Sequence, residues 1–328
     1  MILVTGGAGY IGSHVVRDLL EKSYEVAVLD NLSTGHRYTL PQNVPFYEVD
    51  LLDQEALTRA VKETAPEAVL HFAAKSIVPA SIKDPLNTFY PNLTGTMHLL
   101  KAMEEAGTKA LVFSSTAAVY GEPRAVPIME SHPTEPTNPY GESKLFIEKI
   151  LARLAGDEGS GNLRYISLRY FNAAGAYPDG SLGEDHTPET HLIPKILNAA
   201  SGKEELNVYG SDYPTTDGTP MRDYIHVCDL ASAHTLALET LLKGHKKQAL
   251  YNLGNEQGYT VLEVIKRAEE ITGKKISYRI GPRRAGDPSV LVAGSELIKR
   301  ELGWSPNYSN LETIIESAWR WHNRKHRQ

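Results

Sequence analysis

The sequence predicts an α/β fold: a doubly wound parallel sheet (Rossmann-type) with a smaller C-terminal α/β domain. Three observations carry that expectation. Short branched or apolar runs alternate with helical periods through the first half, as in strands joined by crossover helices. The first run passes through a turn almost bare of side chains, Gly6-Gly-Ala-Gly9, and then into a helix. After Tyr170 the alternation breaks. Residues 171–225 carry glycine and proline throughout, as in Tyr177-Pro-Asp-Gly180 and Asp217-Gly218, which suits a cap built of substrate loops.

The elements are expected in this order. Residues 2–4 form a buried strand, and a helical period begins at Ile11 with Val15, Val16, Leu19 and Leu20 on one face. Strands follow at 25–29 and 46–49, a helix at 53–62, a strand at 67–71, a long helical stretch at 86–106 and a strand at 109–113. A loop with Pro123, Pro127, Pro133 and Pro136 leads to a helix over 139–154 and a strand over 164–168. Helices return at 229–243 and 260–272, the second opened by the capping box Thr260-x-x-Glu263. A last helix should start at Ser309-x-x-Glu312 and bury Ile314, Ile315, Ala318 and Trp319.

At 328 residues the chain is long for one core. The expected division is 1–170 for a nucleotide-binding domain and 171–328 for a substrate domain, with parts of 223–255 returning to the first. A net charge of −6, without a Lys/Arg-rich block, gives no nucleic-acid footprint. The cluster Arg320, Arg324, Lys325 and Arg327 reads as a solvated helix end. The single cysteine, Cys228, excludes an internal disulfide and a cysteine-type zinc site. The twelve histidines contain no His-Glu-x-x-His pattern, so no metal is expected. No apolar run reaches the roughly 18 residues of a membrane span, and the first strand leaves no room for a signal peptide. A soluble cytoplasmic protein is the expectation.

Gly6, Gly9 and Gly12 have the roles a dinucleotide loop requires: a tight turn, a close approach of backbone to phosphate, and a close packing of helix on strand. A purely structural turn would show the same glycines; the strand before and helix after favour the dinucleotide. Asp30 ends the second strand and suits the adenosine ribose hydroxyls. Its charge would repel a 2′-phosphate and Asn31-Leu-Ser-Thr34 offers no arginine, so the cofactor is expected to be NAD. Asp50 and Leu51 are candidates to hold adenine, and Phe72-Ala-Ala74 keeps the crevice open with small residues, although ordinary packing would explain either.

Tyr140-Gly-Glu-Ser-Lys144 puts a phenol and an ammonium on one helix face. A free tyrosine titrates near pH ~10 and is a poor base at neutral pH. A neighbouring ammonium and a positive nicotinamide ring favour the phenolate, which can take a proton from an alcohol as hydride leaves. A surface helix pair has the same spacing, but a dinucleotide loop upstream raises the catalytic alternative. Phe113-Ser-Ser-Thr116 ends a strand with hydroxyls that could bridge Tyr140 and the reacting alcohol, or satisfy a turn.

The glycine loop, Ser-Ser-Thr116 and Tyr-x-x-x-Lys resemble the extended short-chain dehydrogenase/reductase family. Further segments resemble its UDP-sugar 4-epimerases across essentially the whole chain: Asp30-Asn-Leu-Ser-Thr-Gly-His36, Arg169-Tyr-Phe-Asn-Ala-Ala-Gly175, Gly183-Glu-Asp-His186 to Leu192-Ile-Pro194, Asp217 to Val227, and Arg283-Arg-Ala-Gly-Asp287. The resemblance implies reversible C4 epimerisation of UDP-glucose and UDP-galactose through a 4-keto sugar, with tightly bound NAD. It implies Tyr140 as base, Lys144 as orienting cation and Thr116, where serine is commoner, as third catalytic group. Beside the cofactor it places Tyr10, Ile11, Asn31 and Asn92, together with Ser114 and Tyr170. Along the UDP-sugar it places Lys75, Asn172, His191, Leu192, Val208 and Tyr209, with Arg222, Arg284 and Asp287 on the diphosphate and ribose. Arginine suits a diphosphate and a carboxylate suits ribose hydroxyls; taken alone, the arginines would fit surface ion pairs.

The resemblance also implies a homodimer through helices around 91–106 and 140–154. Related dehydratases and decarboxylases place acidic residues after the catalytic threonine, where this chain has Ala117 and Ala118. UDP-N-acetylglucosamine as substrate stays open, because the residue lining the sugar pocket falls near Leu291 and is of middle size. A non-enzymatic NAD-sensing protein on the same fold is the remote alternative.

Overall fold

The computed structural model describes residues 1–156, 161–284 and 287–325. Ala285 and Gly286 of the Arg283–Asp287 motif, and Arg327, lie outside the described residues.

The first half builds β1 (Ile2–Thr5), α1 (Tyr10–Glu21), β2 (Val26–Asp30), β3 (Phe46–Glu48), α2 (Gln54–Thr64) and β4 (Ala68–His71). Two short helices, α3 (Val78–Lys83) and α4 (Leu86–Phe89), precede α5 (Gly95–Ala106), β5 (Ala110–Thr116), α6 (Pro139–Ala155) and β6 (Arg164–Tyr170). The second half adds β7 (Asn172–Ala174), α7 (Leu192–Ala200), β8 (Leu206–Tyr209), β9 (Met221–His226), α8 (Val227–Leu242) and β10 (Gln248–Leu253). It ends with β11 (Gly258–Thr260), α9 (Val261–Thr272), β12 (Tyr278–Gly281), β13 (Val290–Leu291), α10 (Glu296–Leu302) and α11 (Leu311–Lys325).

Seven strands form one sheet in the order β10-β6-β5-β4-β1-β2-β3, with every neighbouring pair parallel. Both faces are covered, which is why β1 is apolar at successive positions. Ile2 and Val4 pack with Val15, Val16 and Leu19 of α1 and with Leu238 and Leu241 of α8. Leu3 faces the other way, toward Leu57 of α2, Leu99 of α5 and Leu151 of α6. Although α8 and β10 come late in the chain, both serve this sheet. The strand order reverses between β1 and β4, so the loops after Thr5 and His71 open a crevice at the strands' C-terminal edge.

Apart from α10, whose Ile298 joins the first core, the remaining elements gather around a second core, in which Ile193 and Ile196 of α7 meet Val264 and Ile265 of α9 and Ile314 and Ile315 of α11. Its strands are short: β11-β9-β13, with β7 also on β9, and a separate β12-β8 pair. This is the segment where sequence periodicity failed. Strands of two to six residues and the nine-residue α7 give too few repeats to register.

Two expectations need correction. The long helix over 86–106 is interrupted by a π turn at Tyr90–Thr94. Pro91 has no N–H to donate there, so the regular ladder cannot pass. The last helix is not opened by Ser309. Asn310 caps α11, accepting the Thr313 N–H at 2.8 Å, while the Ser309 hydroxyl donates to Asp229 at 2.5 Å. The Thr260–Glu263 capping box forms as the sequence predicts, with both reciprocal bonds present.

Candidate active site

One cleft of about 1280 Å³ runs from the switch point of the large sheet into the second core. It exceeds the ~300–1,000 Å³ usual for one small ligand, so it has room for a cofactor and a substrate side by side. At one end lie Gly6, Gly9, Tyr10, Ile11 and Gly12, then Asp30 and Asn31, Asp50 and Leu51, and Phe72, Ala73 and Ala74. In the middle stand Ser114, Thr116, Tyr140, Lys144 and Tyr170, near Lys75 and Asn92. At the far end are Asn172, His191, Leu192, Val208 and Tyr209, with Arg222, Arg284, Asp287 and Leu291. Residues scattered over nearly the whole sequence therefore line a single space.

The glycine end fits a dinucleotide. Gly6 has φ +72°, and a Cβ there would lie 2.5 Å from the Ala73 nitrogen. Side chains at Gly6 are thus excluded by both backbone conformation and space. A Cβ on Gly12 would run into the Gly6 carbonyl, so the third glycine seats α1 on the loop. Gly9 caps α1 with no side chain, and the first turn holds no acidic residue. Its N–H groups and positive dipole end are left to an anion, which a diphosphate would satisfy. Asp30 is positioned by its own loop: one carboxylate oxygen accepts the Ala8 N–H at 3.0 Å and the other the Leu32 N–H at 2.8 Å. Burial pushes its carboxyl up, and those bonds oppose the rise. Asp50 accepts the Asn31 amide at 2.8 Å, joining the ends of β2 and β3.

Tyr140 and Lys144 face the cleft from α6, whose start is set by Asn138 accepting the Gly141 N–H at 2.9 Å and by Pro139 in the first turn. Lys144 Nζ donates to the Ser114 carbonyl at 2.8 Å and lies 4.8 Å over the Phe113 ring. Burial lowers its ammonium to about 7, and the Glu148 charge pulls the other way. Burial raises the Tyr140 phenol to about 12, opposed by a hydrogen bond from Thr116. The sequence suggested a phenolate eased by the lysine together with a nicotinamide ring; in the folded chain burial dominates, and the opposing influence is the Thr116 hydrogen bond. The Thr116 oxygen accepts the Ala118 N–H at 3.1 Å, which leaves its proton to point at Tyr140. Ala117 and Ala118 line the cleft beside it and bring no acid or base.

Several expected contact residues have partners within the protein. Asn92 donates to the Lys75 carbonyl at 3.0 Å and to Ser143 of α6 at 3.0 Å, and accepts the Lys75 N–H at 2.7 Å. Its whole amide is used in tying the segment after β4 to α6. The Tyr10 hydroxyl donates to the Gly175 carbonyl at 2.6 Å, joining α1 to the second core. Arg222 donates to the Met221 carbonyl at 2.7 Å and pairs with Asp287. The Arg284 guanidinium stacks 4.0 Å over the Tyr209 ring. Asn172 donates to the Asp223 carbonyl at 3.3 Å.

Two groups escaped the sequence. Beneath α6, Glu148 and Arg169 form a buried two-armed ion pair, 2.9 and 2.6 Å, and Ser115 donates to the same carboxylate at 2.5 Å. Glu148 lies one turn past Lys144, the only available hint. In the wall of the cleft, Glu184, His186 and His191, with Glu189 next to them, converge within 4.8 Å, where no metal-type constellation was expected. The repeated Glu-x-His spacing was visible, but it matches no familiar ligand pattern.

The sequence pattern of the NAD dependent epimerase/dehydratase family matches residues 2–254. UDP-glucose 4-epimerase of Lacticaseibacillus casei is 53% identical over 322 residues, covering 98% of this chain and 96% of that protein. A crystal structure of UDP-glucose 4-epimerase from Brucella ovis in complex with NAD superposes with a TM-score of 0.93 at 45% identity, covering 97% of both chains. The enzyme from Bifidobacterium longum in complex with NAD+ and UDP gives a TM-score of 0.93 at 38% identity, covering 99% of this chain and 98% of that one.

Proposed function

The chain belongs to the NAD dependent epimerase/dehydratase family, and from that membership and its cleft we propose that it is an NAD-dependent isomerase interconverting UDP-glucose and UDP-galactose at C4. The observation that carries this is the single cleft, with a dinucleotide loop at one end, an arginine–carboxylate set at the other, and Tyr140, Lys144 and Thr116 between.

Bound NAD supplies a reversible hydride acceptor, so it returns to its starting state each turnover and has no need to leave. Gly6, Gly9 and Gly12 would hold its diphosphate and Asp30 its adenosine ribose. Tyr140 takes the proton of the sugar's 4-hydroxyl and later gives it back; Thr116 relays that proton. Lys144 orients the nicotinamide ribose and adds positive charge near the phenol. Arg222, Arg284 and Asp287 hold the UDP while the 4-keto sugar turns over, with Asn172 and Leu192 beside the nucleotide. Ala117 and Ala118 offer no group to expel water or carbon dioxide. Residues 1–170, with α8 and β10, serve the cofactor, and the rest brings the substrate.

The active unit is a homodimer in the cytoplasm, serving galactose metabolism. Tyr90 and Met97, along the α4–α5 stretch, and Phe146 and Leu154 of α6 are large apolar side chains left exposed, which supports pairing of those helices. Among the described residues no helix is long and apolar enough to cross a membrane.

The test is interconversion of the two UDP-hexoses by purified protein without added NADH, with UDP-N-acetylgalactosamine assayed in parallel. A requirement for stoichiometric NADH would mean a net reductase. Sedimentation as a monomer at micromolar concentration would remove the dimer.

A further inference from the structure

Glu184-x-His186 and Glu189-x-His191 repeat one spacing on the loop ahead of α7. The loop folds the two pairs onto each other. His191 Nδ1 lies 2.5 Å from Glu184 Oε1 and 3.4 Å from Glu189 Oε1. His186 Nδ1 lies 3.0 Å from the same Glu184 oxygen and 3.9 Å from Glu189 Oε2. Zinc bonds of ~2.0–2.1 Å in a tetrahedron set neighbouring donors roughly 3.3 to 3.4 Å apart, inside that spread. A small adjustment would place four donors around one ion. The geometry points to a site for a single divalent metal ion of the zinc class, held by Glu184, His186, Glu189 and His191.

Chemistry and charge agree with this. Two imidazoles and two carboxylates suit a borderline divalent ion better than magnesium or calcium, which prefer oxygen alone. With neutral imidazoles the two carboxylates carry −2, and a divalent ion cancels it. The Glu184 side chain is 6% exposed, so its charge needs a cation close by, which His186 and His191 supply when protonated and a divalent ion would supply when they are neutral ligands. The ligands are also held from behind, as working metal ligands are. Glu189 Oε1 accepts the Thr190 and His191 N–H groups at 2.7 and 2.8 Å. Trp321 of α11 donates to the Glu184 carbonyl at 2.9 Å, and the Tyr10 ring stands edge-on to His186 at 6.3 Å. A bound ion would fasten the loop between α1, α7 and α11.

The test uses full-length protein dialysed against a chelator and titrated with zinc chloride alone, in competition with a chromogenic zinc indicator. Expected is one zinc per chain with micromolar or tighter affinity, weakened at least tenfold in His186→Ala and in His191→Ala and unchanged in His245→Ala. Cobalt in place of zinc should give the intense visible bands of a tetrahedral site. No uptake at one equivalent overturns the proposal, and so does uptake that both variants retain. If those variants fail to fold by circular dichroism, Glu189→Gln decides: an affinity equal to wild type overturns it. Because the readout is metal content and not turnover, failure here leaves the proposed epimerase function standing.

Discussion

Tyr140 and Lys144 stand one turn apart on α6, and burial drives them in opposite directions, the phenol up to about 12 and the ammonium down to about 7. Each shift disfavours the charged form, because the wall of the cleft solvates ions poorly. A phenolate at neutral pH therefore depends on added positive charge, which an oxidised nicotinamide would bring. On the proposed mechanism, ligand binding would prime the pair more than its own spacing does.

Tyr140→Phe removes the proposed proton acceptor and leaves the glycine loop untouched. The expected loss in kcat is about 10²–10⁴-fold, the usual range for a positioned acid–base group. NAD affinity, read by fluorescence titration, should change less than threefold. Retention of a tenth of the activity would take Tyr140 out of the reaction.

Lys144→Met tests the cost of burying that ammonium. The folded value near 7 lies below the ordinary 10.5, so between these pH values the unfolded chain binds more protons than the folded one. Stability of the wild type then rises with pH across that window. In protein freed of nucleotide, Lys144→Met should melt higher than wild type at pH 7, and the gap should close toward pH 10. Turnover should fall by at least 10²-fold. A gap that stays constant over this range would show that Lys144 does not titrate there.

Arg222→Ala removes the proposed diphosphate anchor, which in that reading holds the UDP and not the reacting carbon. A charge-assisted contact contributes about 1.5–3 kcal/mol. KM for UDP-galactose should rise by roughly 10–100-fold, while kcat moves by less than about threefold, as for an interaction equal in ground and transition states. An equal fall in kcat with unchanged KM would place the arginine's role at the reacting centre instead.

Glu148→Gln keeps the shape of the buried network but leaves Arg169 without its charge. Both side chains are at most 7% exposed, so the loss should be about 3–5 kcal/mol, read as a lower urea midpoint. A midpoint equal to wild type would mean that water or a neighbour already satisfies Arg169.

Much of the first half was legible because its signals are local. Gly6 needs positive φ, and Asn138 and Pro139 mark a helix start; in the second half only a signal as local as the box of Thr260 with Glu263, three residues apart, read as clearly. The second half yielded less. The elements β7 to β9 and α7 are too short to show a period, and Ser309 looked like a cap although its hydroxyl is claimed by Asp229, which lies 80 residues earlier. The π turn could have been suspected from Pro91, but not the Asn92 amide spanning from Lys75 to Ser143. Likewise, Glu148 and Arg169 have ordinary surface residue types, and only burial makes them a pair.

The sequence by itself determined the parallel α/β sheet, the dinucleotide loop, the choice of NAD suggested by Asp30, and the Tyr140–Lys144 pair, since each rests on spacing along the chain, within one element or in the order of successive elements. Only the tertiary structure brought Gly6 to Ala73, Arg222 to Asp287 and Glu184 to His191, and closed all three sets around one cleft. It also set the protonation balance of the Tyr140–Lys144 pair. Spacing fixes which side chains share a helix face, but desolvation depends on everything packed around them, and that sum exists only in the folded chain.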